Sequence, residues 1–212
     1  MLAQRLNKID EPQTIRMAKL SRELRAQGKD IIDLSLGEPD FKTPDHIVEA
    51  AVQAMKDGFT KYPPVAGFPE LREAITSKLQ RDNGLTYNTN QVMVCTGAKQ
   101  CIANAVLSII NDGDEVIIPS PFWVTYADIV KLADGKVVQV KGSFENDFKI
   151  TPDQLEAAIT PLTKLFIFSS PCNPTGSIYS REELKALVDV FVKHPQIYII
   201  SDEIYEFINF SG

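Results

Sequence analysis

Two short polar segments of this 212-residue chain carry the side chains best suited to chemistry. They are Ser169-Ser170-Pro171-Cys172-Asn173-Pro174-Thr175-Gly176 and Ser201-Asp202-Glu203-Ile204-Tyr205. Each follows an apolar run, residues 164–168 and 197–200, that reads as a buried parallel strand. Open α/β sheets bind ligands where polar groups converge at the carboxyl ends of neighbouring parallel strands. A carboxylate (Asp202), a carboxamide (Asn173) and a phenol (Tyr205) placed there can grip the polar edge of a flat heteroaromatic molecule. Plainer readings also fit. Asp202 suits a helix N-cap, and Asn-Pro-Thr-Gly suits an ordinary turn.

Two more segments sit at strand ends. Thr96-Gly97-Ala98-Lys99 lies between a strand and a helix, where free backbone N–H groups and the helix dipole favour a phosphate. Alone the signal is weak, because any such turn can carry a glycine. Neither a Walker P-loop nor a GxGxxG fingerprint is present. Pro119-Ser120-Pro121-Phe122-Trp123 follows the next strand and holds the chain's one tryptophan. Trp123 suits a stack on a flat ring, and equally an ordinary core position.

The elements that must position these groups follow from the apolar pattern. Helices are expected at 12–27, closed by Gly28; at about 43–58, opened by Thr43-Pro44; and at 69–81, closed by Asn83-Gly84. Residues 31–36 read as a short strand, and 59–67 as an ordered loop. From Gln91 the rhythm becomes strand, loop, helix. Strands are expected at 92–95, 115–118, 137–140, 164–168 and 197–200, with helices at about 99–110, 123–132, 152–159 and 181–193. That alternation predicts an α/β fold, a mostly parallel sheet covered on both faces by helices. A change of rhythm near Thr43 suggests a domain boundary there.

Composition narrows the class. The chain is 44% hydrophobic and 24% charged, as ordinary folded domains are. A net charge of −6 without any basic cluster argues against nucleic acid as the main partner. No apolar run approaches the ~20 residues of a membrane span, and the N-terminus lacks the apolar stretch of a secretory signal. Cys95, Cys101 and Cys172 have no CxxC spacing and only two histidines for company. A disulfide framework or a metal site is not expected, and a cytoplasmic location is. The sequon Asn209-Phe210-Ser211 reads as chance.

SPCNPTG followed by SDEIYE resembles the signature of the aspartate-aminotransferase family, the fold-type-I enzymes that use pyridoxal 5′-phosphate (PLP). The resemblance implies a three-layer αβα large domain, incomplete here, joined to the N-terminal part of a small domain. Residues 1–43 would be the N-terminal arm and part of the small domain, and 44–212 the first part of the PLP-binding domain. Residue by residue, Gly97, Ala98 and Lys99 match the turn that cradles the cofactor phosphate. Trp123 matches the ring stacked on the pyridine face. Asp202 matches the carboxylate that pairs with the ring nitrogen, and Asn173 and Tyr205 match the groups that bond the phenolic oxygen. Tyr62 matches a tyrosine that reaches the phosphate of the neighbouring subunit, so the resemblance implies a homodimer.

The same resemblance assigns substrate contacts to Gly37, Lys99, Thr14, Trp123 and Asn173. Gly37 would offer an N–H to the α-carboxylate, and Lys99 and Thr14 would face a distal carboxylate, as in the bacterial-type aspartate and prephenate aminotransferases. Lys99 also reads as a solvated first-turn lysine. The expected substrates are an aspartate- or glutamate-like amino acid and a 2-oxo acid. No catalytic residue is assigned within the chain, because the lysine that holds PLP covalently is expected beyond Gly212. The 212-residue chain alone is therefore expected to be inactive. Cys172 stands where relatives often carry Asn or Ser. The bonds Ser120-Pro121 and Asn173-Pro174 are expected to be cis. Alternatives within reach are a carbon–sulfur lyase, a relative of aminocyclopropane-carboxylate synthase, or a non-catalytic aminotransferase-like module.

Overall fold

The computed structural model describes residues 3–9, 15–34, 37, 39–208 and 210, and residues 13 and 14 by backbone alone. The chain divides into two compact units, residues 11–95 and residues 1–10 with 96–212.

In the first unit α1 (Gln13–Ala26), α2 (Asp45–Lys56) and α3 (Pro69–Asn83) form where the periodicity predicts them. The first ends on Gly28, whose φ of 80° lets the Lys29 N–H reach back to the Leu24 carbonyl and satisfy a helix-end acceptor. Pro44, expected in the first turn of α2, occupies the N-cap position instead, and no side chain caps that helix.

Two expected strands do not form. Residues 31–34 join no ladder; Ser35 and Leu36 lie outside the described residues. Residues 92–95 are also unladdered; the Val92 N–H bonds the Thr89 carbonyl at 3.2 Å and the Val94 N–H the Ala66 carbonyl at 3.0 Å. An apolar run makes a strand only when a neighbouring backbone is there to pair with it.

The second unit contains the sheet. Its strands are β1 (Glu115–Ser120), β2 (Lys136–Lys141), β3 (Thr163–Ser169) and β4 (Tyr198–Asp202), in the order β2-β1-β3-β4, all parallel. α4 (Ala98–Ile109) precedes β1, and α5 (Thr125–Leu132), α6 (Pro152–Ala158) and α7 (Arg181–Phe191) run between successive strands. Capping boxes open α6 (Thr151 with Gln154) and α7 (Ser180 with Glu183), where the sequence offers S/T-x-x-E/Q.

Alternation along the strands separates two cores. Val116 and Ile118 of β1 and Leu165 and Ile167 of β3 pack with α4 and α5 through Ile102, Val106, Ile129 and Val130. Ile117 and Phe166, pointing the other way, pack with Leu155 of α6 and Leu187, Val190 and Phe191 of α7. Six of these strand residues are no more than 1% exposed, as expected for a parallel sheet with helices on both faces. Full burial of each such side chain contributes roughly 1.5–3 kcal/mol. The result is the three-layer α/β arrangement that the sequence predicts.

Candidate functional site

Ser169 of β3 is in register with Asp202 of β4, and β1 runs beside β3, so the segments that follow Ser120, Ser169 and Asp202 leave the sheet at one edge. The carboxyl ends of three adjacent strands thus bring Trp123, Asn173, Asp202 and Tyr205 to one end of the unit.

Asp202 is 8% exposed and accepts two hydrogen bonds. The Tyr126 hydroxyl donates to its Oδ2 at 2.6 Å, and the Ile204 N–H donates to its Oδ1 at 3.2 Å. The second bond is the cap-like role that the plainer reading allows. The first comes from α5 and has no counterpart in the sequence reading. Burial of Tyr126, followed by its bond to Asp202, pushes its phenol far above the ordinary range. The phenol therefore stays protonated and serves as a fixed donor.

Asn173 Nδ2 donates to the Tyr205 hydroxyl oxygen at 3.2 Å, so carboxamide and phenol form a pair. Three peptide bonds at this end of the sheet are cis: Ser120-Pro121 after β1, and Ser170-Pro171 and Asn173-Pro174 after β3. Two of these are expected from the resemblance, whereas Ser170-Pro171 is not.

Gly97 precedes α4 at φ 82°, a conformation that favours glycine, and a Cβ placed on it would meet nothing within 4 Å. The turn is closed by the Gln100 side chain, which accepts the Thr96 N–H at 2.5 Å. Gly97 O accepts from Gln100 and Cys101, which leaves the first-turn N–H groups of Ala98 and Lys99 among those with no intrahelical partner. Ala98 and Asp202 line one open groove of about 330 Å³. Lys99 Nζ stands 5.1 Å from the centre of the Trp123 ring, and Trp123 meets Tyr126 edge-on at 5.5 Å. These contacts link the turn, the tryptophan and the carboxylate.

Seven of the expected site residues, Gly97, Ala98, Lys99, Trp123, Asn173, Asp202 and Tyr205, thus stand in one unit. Gly37 and Tyr62 belong to the other unit, and both are exposed. Thr14 lies in α1, but its side chain is outside the described residues, as are Asn209 and Ser211 of the sequon. The reading missed Tyr126 and Gln100. Tyr126 follows Trp123 by one helical turn, which is the spacing that could have found it. Among the described residues no group of His, Cys, Asp and Glu could hold a metal ion, and no helix is long and apolar enough to cross a membrane.

A turn with free N–H groups, a half-buried indole, a buried carboxylate and an amide–phenol pair are groups of the kind that could hold a flat, phosphorylated heteroaromatic. The family model for aminotransferase class I and II matches residues 29–211, and the chain belongs to that family, whose aspartate aminotransferases use PLP. An aspartate/prephenate aminotransferase of Cereibacter sphaeroides is 53% identical over 209 residues, covering 99% of this chain and 52% of the relative. An aspartate aminotransferase of Geobacillus stearothermophilus is 49% identical, covering 100% and 53%. Among solved structures, the aspartate aminotransferase of Rhizobium meliloti matches with a TM-score of 0.97 at 40% identity, covering all of this chain and 53% of that one. The Thermus thermophilus aspartate aminotransferase with maleate matches at 0.96 and 43%, covering 100% and 55%. The chain spans about half the length of the curated relatives it matches.

Proposed function

We propose that this chain is the N-terminal half of a PLP-dependent aminotransferase that moves an amino group between an aspartate- or glutamate-like amino acid and a 2-oxo acid. The observation that carries the reading is Asp202: a buried carboxylate held by Tyr126 at the end of β4, with the amide–phenol pair and the α4 turn at the same end of the sheet. The donor set fits the cofactor. Gly97 leaves open space in front of the α4 turn, where backbone N–H groups suit a phosphate. Asp202 would face the ring nitrogen, Asn173 and Tyr205 the phenolic oxygen, and Trp123 the ring's face. PLP, when bound, supplies an electron sink that makes the amino acid's α-proton removable.

The chain's own residues bind and orient. With PLP bound, the Asp202 carboxylate would keep a proton on the ring nitrogen, and Asn173 and Tyr205 would bond the phenolic oxygen. Trp123 would cover a face of the ring and keep water from it. Lys99, exposed beside Trp123, is placed to meet a distal carboxylate, and this supports a dicarboxylic substrate, with prephenate also possible. By the same reading Gly37 and Thr14 add substrate contacts. Tyr62 adds a phosphate contact in the neighbouring subunit of a homodimer. Residues 1–43 serve as arm and small-domain segment, and 44–212 as the first part of the large domain. The lysine that holds the cofactor and moves the α-proton lies outside this chain, and the location is the cytoplasm.

The test is a coupled assay with the chain extended to the length of its relatives. Aspartate with 2-oxoglutarate should give oxaloacetate and glutamate only when PLP is supplied. Cysteine offered in place of aspartate, if cleaved with water to pyruvate, ammonia and sulfide without keto-acid exchange, would assign the lyase chemistry instead.

A further inference from the structure

Ser177 closes the asparagine loop and has no part in the proposed function. It is 6% exposed, and its Oγ has no hydrogen-bond partner within the protein. Buried hydroxyls in native structures almost always have a partner, whether protein or ordered water. This one lines a small cavity with about 20 Å³ open to a water centre. One water molecule needs roughly 10–15 Å³ on that measure, and two to four polar groups around it.

The polar lining supplies them. The Tyr126 phenol borders the cavity and spends its proton on Asp202, but its oxygen retains acceptor capacity. The Ser169 hydroxyl, which borders the same space, donates to that phenol oxygen and takes one of its two acceptor sites, leaving the other. Tyr179, also on the wall, accepts the Ile150 N–H at 3.0 Å, which leaves its own proton for another acceptor. Phe122, Phe148 and Phe168 form apolar wall, and Lys149 and Cys172 also line the space.

We propose that this cavity is a binding site for one ordered water molecule, which partners the Ser177 hydroxyl and bridges it to the Tyr126 phenol that holds Asp202. The water donates to the phenol oxygen and fixes the rotor of the hydroxyl, and the phenol in turn fixes the carboxylate. Chains of hydrogen bonds polarise one another, so the phenol becomes a better donor with the water in place. Tyr126 is then a positioning residue, and Ser177 acts one step behind it. The effect on the cofactor rests on the proposed function; the water itself does not.

The experiment compares the extended protein with its Ser177→Ala and Tyr126→Phe variants by crystallography, thermal melting and PLP titration. The expected density is one water within hydrogen-bond distance of Ser177 Oγ and the Tyr126 oxygen, absent in Ser177→Ala. That variant should melt lower by on the order of 1–2 °C, since it loses a satisfied hydroxyl. Its PLP dissociation constant should rise roughly two- to fivefold, and that of Tyr126→Phe roughly tenfold or more, with a changed circular-dichroism band of the bound cofactor in both. No water density, or a higher melting point in Ser177→Ala, would overturn the site, because removing an unpartnered hydroxyl stabilises. A water present while PLP affinity and the band stay unchanged in Ser177→Ala would overturn the link to Asp202. Failure of the parent protein to bind PLP would sink the proposed function, while density and melting would still decide the water.

Discussion

Asp202 accepts one hydrogen bond from a backbone N–H two residues on and one from a buried phenol on another helix. This pairing changes how its role has to be tested. Asp202→Ala removes the charge but also orphans the Tyr126 hydroxyl, which costs about 1–3 kcal/mol of stability and confounds any loss of turnover. Asp202→Asn removes the charge, keeps an oxygen for the Ile204 N–H and turns its NH2 toward the Tyr126 oxygen, which can accept. In the extended protein this variant should lose turnover by roughly a hundredfold or more while its melting point stays close to the parent's. Steady-state kinetics beside a melting curve decide it, and equal loss in both would leave the carboxylate a structural part. The site was legible here to differing degrees. Asn173, Asp202 and Tyr205 stand in short polar segments after apolar runs, which single-residue chemistry can find. Tyr126 is harder to find: its one-turn spacing from Trp123 marks a shared helix face, but not the carboxylate that its hydroxyl meets.

At the scale of elements, glycines in the left-handed region separate two causes of intolerance. Gly97 has φ 82° with open space where a Cβ would go, whereas Gly67 has φ 94° and a Cβ there would sit 2.7 Å from Val94 Cβ. Gly97→Ala should cost only the conformational penalty, about 1–2 kcal/mol. Gly67→Ala adds a steric clash and should be clearly the more destabilising. Urea midpoints of the two variants give the ranking directly. The opposite end of the sheet holds a second buried carboxylate with a structural role. Glu115, 4% exposed, accepts from Lys136 Nζ at 2.7 Å and from the Thr160 hydroxyl at 2.6 Å. The Lys136 bond first, and then the hydroxyl, hold its carboxyl below the ordinary 4.5. A depressed acid stabilises the fold at pH above its unfolded value and loses that contribution as pH falls through the folded one. The melting-point gap between parent and Glu115→Gln should therefore be full at neutral pH and close below about pH 4.5. A gap that widens on acidification would reverse the assignment. Strands were the least legible elements. The runs at 115–118, 164–168 and 197–200 found neighbours, while 92–95 reads the same way and joins no ladder, because pairing depends on which backbone lies alongside.

At the scale of the molecule, the order β2-β1-β3-β4 places β3 between β1 and β4, and that placement is not written in any local pattern. It is what sets Asp202 one strand away from the asparagine loop. It also leaves β4 with a strand on one side only among the described residues. On β4 and just after it stand exposed apolar side chains: Ile199 is 45% exposed, Ile204 62% and Phe207 79%. An open edge with apolar neighbours is a template for pairing with another chain. The family resemblance places the covalent lysine outside these residues, and the same group would be the general base. The 212-residue chain by itself should therefore self-associate or need a partner segment, bind PLP weakly and show no turnover with aspartate and 2-oxoglutarate. Borohydride reduction in the presence of PLP, followed by peptide mass spectrometry, should find no site-specific adduct on its lysines. Light scattering at rising concentration should report association. A monodisperse chain that forms a single lysine adduct and turns over substrate would mean that a lysine within it performs both tasks, and the division of labour proposed here between two halves of one enzyme would fall.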